Sequence, residues 1–273
     1  MFNRFYPNGT KLTMLSGPGD LLGAGYDSAR RVVDFAHKTT AATPVVLSEF
    51  TYGYDKASNR LFERRGHEVA GANWKGETYA YDAVYRLTNR SEGSLNAAGI
   101  LQGAATLTQD FTLDGLGNWS AHKRNTTVYP NTLNSLNQYT VFQGPQGERD
   151  LAYDFAGNLT SEGAGGAGYA YDFANRLVTS RDTVGNLTTY RYDALGRRVS
   201  KSLNGQTHTR CVYDGERLIE ERDGGDAPVA SYVYGSGGGE VLTRRRWMAG
   251  SPADLFYHTN ALGSVTAVTA PWS

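Results

Sequence analysis

The residue types able to do chemistry are all present in this chain, so their spacing decides what they could do. The five histidines, His37, His67, His122, His208 and His258, are scattered, with no i, i+4 pair and no His-Glu-x-x-His string. Neither a zinc site nor a catalytic imidazole is read from them; solvent-facing or sheet-packing roles are expected. Cys211 is the sole cysteine, which excludes an intrachain disulfide and a cysteine-built zinc site. Gly163-Ala164-Gly165-Gly166-Ala167-Gly168 fits G-x-G-x-x-G. That string cradles a phosphate only between a strand and a helix, and here Tyr169-Ala170-Tyr171-Asp172 reads as the next strand, so a hairpin loop is expected. Ser264 sits in Leu-Gly-Ser-Val, without the G-x-S-x-G elbow of a nucleophile. Six Asn-x-Ser/Thr sites, at Asn8, Asn89, Asn118, Asn125, Asn158 and Asn186, matter only in a eukaryotic secretory setting.

The acids show order. Tyr-Asp recurs at Tyr26-Asp27, Tyr54-Asp55, Tyr81-Asp82, Tyr153-Asp154, Tyr171-Asp172, Tyr192-Asp193 and Tyr213-Asp214, with a degenerate Leu113-Asp114. Asp-to-Asp steps are 28, 27, 32, 40, 18, 21 and 21 residues. Tyr234 continues the series with Gly235 in the acid's place, and Tyr257-His258 follows, putting His258 where the repeat places Asp. A row of carboxylates could bind calcium, but a spacing of about 20 residues puts one per hairpin, and turn capping explains each without metal.

The elements that carry these residues follow from the same spacing. Tyrosines two apart before the Asp (Tyr52/Tyr54, Tyr79/Tyr81, Tyr169/Tyr171, Tyr190/Tyr192, Tyr232/Tyr234) share one face of a strand. These ladders could stack on sugars, yet packing along a sheet face accounts for them. After the Asp, Asp114-x-x-Gly117, Asp154-x-x-Gly157 and Asp193-x-x-Gly196 match the first and fourth positions of a type I turn. An apolar residue lands five after the Asp at Val32, Leu87, Trp119, Leu159 and Leu177; Leu61, Val199 and Leu218 read as slips from a variable turn or a bulge. The unit is therefore strand, Asp-led turn, strand: a β-hairpin of roughly 20 residues with its connection. On the order of 20 strands or fewer are expected. Ala24–Ala36 and Glu216–Arg222 could be helical but carry the hairpin register. Ser91–Thr106 and Ala121–Gly147 read as loops or weaker strands, and Gly235–Gly239 as a glycine-rich connection.

Composition agrees. Among 273 residues, 33 glycines and 18 tyrosines favour strands joined by tight turns. Charges cancel, 27 Lys+Arg against 27 Asp+Glu, so no global field draws nucleic acid, and Arg244-Arg245-Arg246-Trp247 is read as a solvated or acid-paired patch. No apolar run approaches the ~20 residues of a spanning helix. Met1–Leu15 has no hydrophobic centre and is not read as a signal peptide.

These residues resemble the Rhs, or YD-repeat, family of toxin-complex shells, polymorphic toxins and teneurin shells. The carriers are Tyr153-Asp154-Phe155-Ala156-Gly157-Asn158-Leu159, Tyr171-Asp172-Phe173-Ala174-Asn175-Arg176-Leu177 and Tyr192-Asp193-Ala194-Leu195-Gly196-Arg197-Arg198. Leu136-Asn137-Gln138-Tyr139 and Tyr257-His258-Thr259-Asn260-Ala261-Leu262-Gly263-Ser264-Val265 resemble features near the C-terminal end of such arrays, with Asn260 where the family shows Asp. The resemblance implies an all-β fold of hairpins in a curved, spiralling antiparallel sheet, a partial shell or open barrel. It implies one repeat segment over 1–273, incomplete at both ends and clearest over 150–235. No Asp-Pro dipeptide is present, so the family's self-cleavage is not assigned. The expected function is a non-enzymatic wall that encloses or presents a toxin or other polypeptide, without cofactor or metal. The alternative is a cell-surface module that recognises glycan or protein through exposed aromatics. Expected partners are the remaining repeats of a larger shell or an enclosed polypeptide, and the family places such proteins outside the cell or at its surface.

Overall fold

The computed structural model describes residues 3–6, 9–14, 25–163, 165–235, 240–248 and 251–270. Among them every regular element is a β-strand, and none is helical. The chain forms a 10-stranded and a 14-stranded sheet in which each strand pairs antiparallel with its sequence neighbours. The first runs from Asn3–Tyr6 to Thr127–Pro130, the second from Thr132–Leu133 to Val265–Thr269. Of the stretches weighed as helices, residues 25–33 form the Asp27 turn leading into the strand Asp34–Thr39, and the other contains the strand Arg217–Arg222. Much of the region read as loops or weak strands is also sheet: Leu87–Leu95, Trp119–Arg124 and Tyr139–Gly144 fall there. The 24 strands among the described residues exceed the sequence expectation because extra hairpins fill the long steps between Tyr-Asp pairs.

One turn accounts for most of the repeat. At Asp154, the Gly157 N–H donates to the Asp154 carbonyl at 3.0 Å and the Asp154 N–H donates to the Asn158 carbonyl at 2.9 Å. Gly157 has φ +85°, and the register shift at Tyr153 sets that residue opposite Leu159. This is a type I turn closed by a left-handed residue that forms a bulge, the three-residue hairpin loop whose twist suits a sheet. The same two bonds recur at Asp27, Asp55, Asp82, Asn96, Asp114, Asn134, Asp172, Asp182, Asp193, Asp223 and Asn260. The positive φ falls each time on the residue three after the acid or amide, whether glycine, as at Gly196 (+80°), or not, as at Tyr85 (+66°).

Register is therefore more regular than the sequence suggests. Tyr54 faces Arg60 and Tyr192 faces Arg198, the same five-residue offset from the acid that sets Tyr171 opposite Leu177. The slips inferred at Leu61 and Val199 are absent: an arginine fills the paired position and the apolar residue follows on the other face. A real shortening occurs at Asp214, which pairs directly with Arg217 across a two-residue Gly215-Glu216 turn, so Tyr213 faces Leu218. Asn260, not His258, holds the turn position of the last hairpin; His258 lies inside the strand and pairs with Ala267.

The chain divides into two compact units, Met1–Tyr129 with Phe256–Ser273, and Pro130–Leu255. In the first, Phe35, Phe50 and Tyr52 form a buried cluster against Leu12, Val32 and Tyr54. The Phe50 and Tyr52 rings stack at 6.3 Å and 8°. In the second, Cys211 and Ala230 are the buried apolar residues among those described, so its hairpins rest on backbone ladders and side-chain stitching rather than on a core.

Candidate functional site

The residues singled out by the repeat converge on the turn margin of each sheet, and most of their carboxylates and hydroxyls are engaged locally. The Asp154 Oδ1 accepts N–H bonds from Ala156 and Asn158, both 2.9 Å, while its Oδ2 accepts the Asn158 amide at 2.9 Å. Asp55 accepts both the backbone and the side-chain N–H of Asn59. Asp82, Asp172 and Asp193 take the same backbone bonds, and Arg86, Arg176 and Arg197 bind their second oxygen through Nε at 2.7, 2.8 and 2.7 Å. These bonds hold the carboxyls below the usual range: for Asp154 the Asn158 amide is the largest influence, and for Asp172 the Arg176 side chain. For Asp193 desolvation is the largest single influence and acts upward, but the Arg197 bonds together prevail over it. A carboxylate with this many donors is a poor base and a poor cation ligand. Among the described residues no group of three or more metal-capable side chains gathers.

Most of the repeat tyrosines reach back to the preceding hairpin. Tyr54 donates its hydroxyl to the Val32 carbonyl, Tyr81 to Arg60, Tyr153 to Tyr139, Tyr192 to Leu177, Tyr213 to Arg198 and Tyr234 to Leu218, all between 2.7 and 3.0 Å. Each acceptor lies where the chain leaves the earlier turn, so one hydroxyl ties two hairpins together. Tyr171 lies near enough to Asp154 for that charge, after burial, to help raise its phenol. Arginine makes the reverse link. Arg31, Arg176 and Arg197 lie over the rings of Tyr54, Tyr192 and Tyr213 at 4.7, 4.9 and 5.0 Å. They also donate onward to the Asp55, Asp193 and Gly215 carbonyls. Asp214 takes no part as a cap; its hairpin is closed by glycine instead.

The outer tyrosine of several pairs meets a carboxylate. Tyr79 donates to Glu77 at 2.9 Å, Tyr169 to Glu162 at 2.7 Å and Tyr232 to Glu221 at 3.0 Å. Burial and the Glu162 charge raise the Tyr169 phenol to about 12. Glu63 and Glu77 face each other across adjacent strands. Arg60 binds Glu63 at 3.0 Å, and Arg90 binds both oxygens of Glu77 at 2.6 and 2.7 Å, so both carboxylates are held in ion pairs.

Sequence spacing missed three things. The arginine or asparagine four after each acid, such as Arg176, Arg197 and Asn158, completes the turn. Asn96, Asn134, Asp182 and Asp223 lead turns without a preceding tyrosine; their signal is the short cap itself, followed three residues later by a glycine, asparagine or aspartate able to take positive φ. Finally, His37 and His258, 221 positions apart, meet inside the first unit with Nδ1 atoms 3.2 Å apart. Arg244 and Arg245 pair with Glu221 and Asp254, in keeping with the acid-paired reading. The glycine string joins two strands, with Gly163 and Gly166 bonded across the turn; Ala164, Ser236–Gly239, Pro7 and Asn8 lie outside the described residues.

Three comparisons fit this geometry. Residues 171–209 match the family described as RHS Repeat, so the chain carries Rhs-type repeat sequence. It is 32% identical over 171 residues, 59% of its length, to the tRNA3(Ser)-specific nuclease WapA of Bacillus spizizenii, of which that stretch is 7%. It is 28% identical over 236 residues, 74% of its length, to double-stranded DNA deaminase toxin A of Burkholderia cenocepacia, spanning 16% of that protein. Its fold matches a chain in the Photorhabdus luminescens Tc holotoxin pore with a TM-score of 0.68 and 18% identity, over 98% of this chain and 14% of that one. Residues 171–209 are thus Rhs repeat sequence within an all-β chain whose fold matches part of the Tc holotoxin chain, and the chain spans a small fraction of the proteins it resembles.

Proposed function

We propose that this chain is a stretch of wall: a non-catalytic sheet of stitched hairpins that shields a polypeptide from its surroundings. The observation that carries the reading is the engagement of the repeat's own functional groups. Apart from Asp214, the turn carboxylates accept bonds within their own loops, and six of the repeat hydroxyls bond between hairpins, which suits a barrier and leaves little for turnover. The relatives support it from another side. One is named for cleaving tRNA and another for deaminating DNA, yet both share this stretch; a segment common to unlike chemistries serves as carrier rather than reagent. The second unit adds a physical reason for a partner: a long sheet with almost no buried apolar side chains among its described residues gains stability by covering a face with more wall or with cargo.

The test uses the protein purified intact from its host with whatever polypeptide accompanies it in one particle. Trypsin is expected to spare that polypeptide while the repeat sheet is folded, and to digest it after mild denaturant opens the sheet. Equal digestion in both states contradicts the wall. A surface-recognition role is favoured by Phe155 and Phe173, whose side chains stand fully exposed at their turn tips. Glycan or cell binding abolished by Phe155→Ala with Phe173→Ala, with no protected polypeptide, would replace the wall by that reading.

A further inference from the structure

The pairing of His37 with His258 is used by nothing described so far. Both rings are buried, 1% and 0% exposed. His37 lies on the strand Asp34–Thr39, and His258 on the C-terminal hairpin, both within the first unit. Their remaining nitrogens fix where the protons sit. The His37 Nε2 is 3.0 Å from the Thr259 carbonyl, which can only accept, so His37 carries its proton on Nε2 and presents Nδ1 as an acceptor. The His258 Nδ1 then donates to it at 3.2 Å, and the His258 Nε2 accepts the Thr269 hydroxyl at 2.8 Å. The chain of donors runs one way: Thr269 to His258 to His37 to Thr259. In this arrangement both rings are neutral. A proton added to either ring can be passed along the same contacts, with His258 then donating to the Thr269 hydroxyl, but it places a full positive charge inside a seam where both rings are buried.

We propose that the His37–His258 pair is an acid-sensitive latch that seats the hairpin Phe256–Thr269 on the strands Asp34–Thr39 and Val46–Tyr54 when neutral and releases it when either ring takes a proton. A second contact in the same seam, the Ala261 N–H on the Tyr52 hydroxyl at 3.3 Å, carries no charge change in this range. Among the described residues the nearby charged groups are directed elsewhere. Leu12 and Ser48 are the strand partners of His37, which turns the side chains of Lys11, Asp34, Lys38 and Glu49 toward the other face. His67 is turned to the Glu49 backbone, Asp254 on the hairpin's own strand is paired with Arg245, and Val265–Thr269 has no ionisable side chain. Burial, then the neighbouring His37, lowers His258 to about 4 from an ordinary value of 6.5. A depressed imidazole pKa means that the released state binds more protons, so seating is complete above pH 6.5 and weakens as pH falls toward about 4.

Hydrogen exchange of the whole chain, corrected for its intrinsic pH dependence, reads the latch directly. Peptides covering Phe256–Thr269 are expected to gain exchange about tenfold per pH unit between 6.5 and 4, while Leu177–Leu203 stays flat. The variant His37→Gln with His258→Asn keeps amide donors near the same places but cannot titrate, so its hairpin should stay protected over that range. Equal acid-driven exchange in that variant, or flat exchange in the native chain, overturns the latch. Should the variant fail to fold, imidazole nitrogen spectra of the native chain decide. Neutral rings at about pH 7, protonated on Nε2 of His37 and Nδ1 of His258, support the latch; a ring charged near its ordinary pKa with the hairpin still protected overturns it.

Discussion

At the scale of single residues, the left-handed position of the turn offers the sharpest comparison. Gly196 has φ +80° with nothing within 4 Å of where a Cβ would stand, so Gly196→Ala meets only backbone strain. A loss of about 1 kcal/mol is expected in urea titration. Tyr85 sits in the matching place at φ +66° with its side chain 64% exposed, and Tyr85→Gly should gain a similar amount. The acids make a second comparison. Asn96, Asn134 and Asn260 cap their turns through Oδ1 as the aspartates do, which separates capping from charge. Asp193→Asn should therefore be milder than Asp193→Ala, losing the Arg197 ion pair but keeping the cap. Because the bonded carboxyls titrate below their ordinary value near 3.9, their contribution is complete above that pH and fades as pH falls through the lower folded values. Acid unfolding of the repeat thus follows the hairpin release proposed near the C-terminus, as a separate, more acidic phase in far-ultraviolet circular dichroism.

At the scale of elements, the stitch between hairpins is what turns separate loops into a sheet. Tyr192→Phe removes the hydroxyl bonded to the Leu177 carbonyl at 2.8 Å while leaving the ring in place. A loss of about 1 kcal/mol is expected, with faster hydrogen exchange on the Leu177–Arg181 strand than on Arg198–Leu203. Much of this is legible in the sequence. Tyrosines two apart and a short acid with glycine three later are local rules of strands and turns, and both appear at Asp154 and Asp193. The arginine at the fourth position was harder to read, since its partner tyrosine belongs to the next hairpin and no spacing rule links them. Asn134 and Asp182 escaped notice because a turn needs only its cap, while the tyrosine serves the neighbouring contact. The meeting of His37 and His258 was illegible in principle: a contact between residues 221 apart is set by how strands stack, not by local pattern.

At the scale of the whole molecule, each sheet behaves as a row of like parts in which a repeat touches mainly its neighbours. Stability in such a row is close to a sum of repeat and interface terms, so interface residues decide how far unfolding spreads. The second unit depends on them most, having so few buried apolar side chains among those described. The measurement that tests this account most directly is a double-mutant cycle across one interface. Arg176 lies over the Tyr192 ring at 4.9 Å and donates to the Asp193 carbonyl of the same neighbouring hairpin. Arg176→Ala, Tyr192→Leu and the pair together, followed by urea unfolding, should give a favourable coupling of about 0.5–1 kcal/mol. Additive losses with no coupling would mean that these residues do not hold one hairpin to the next, and the wall would have to be explained by something else.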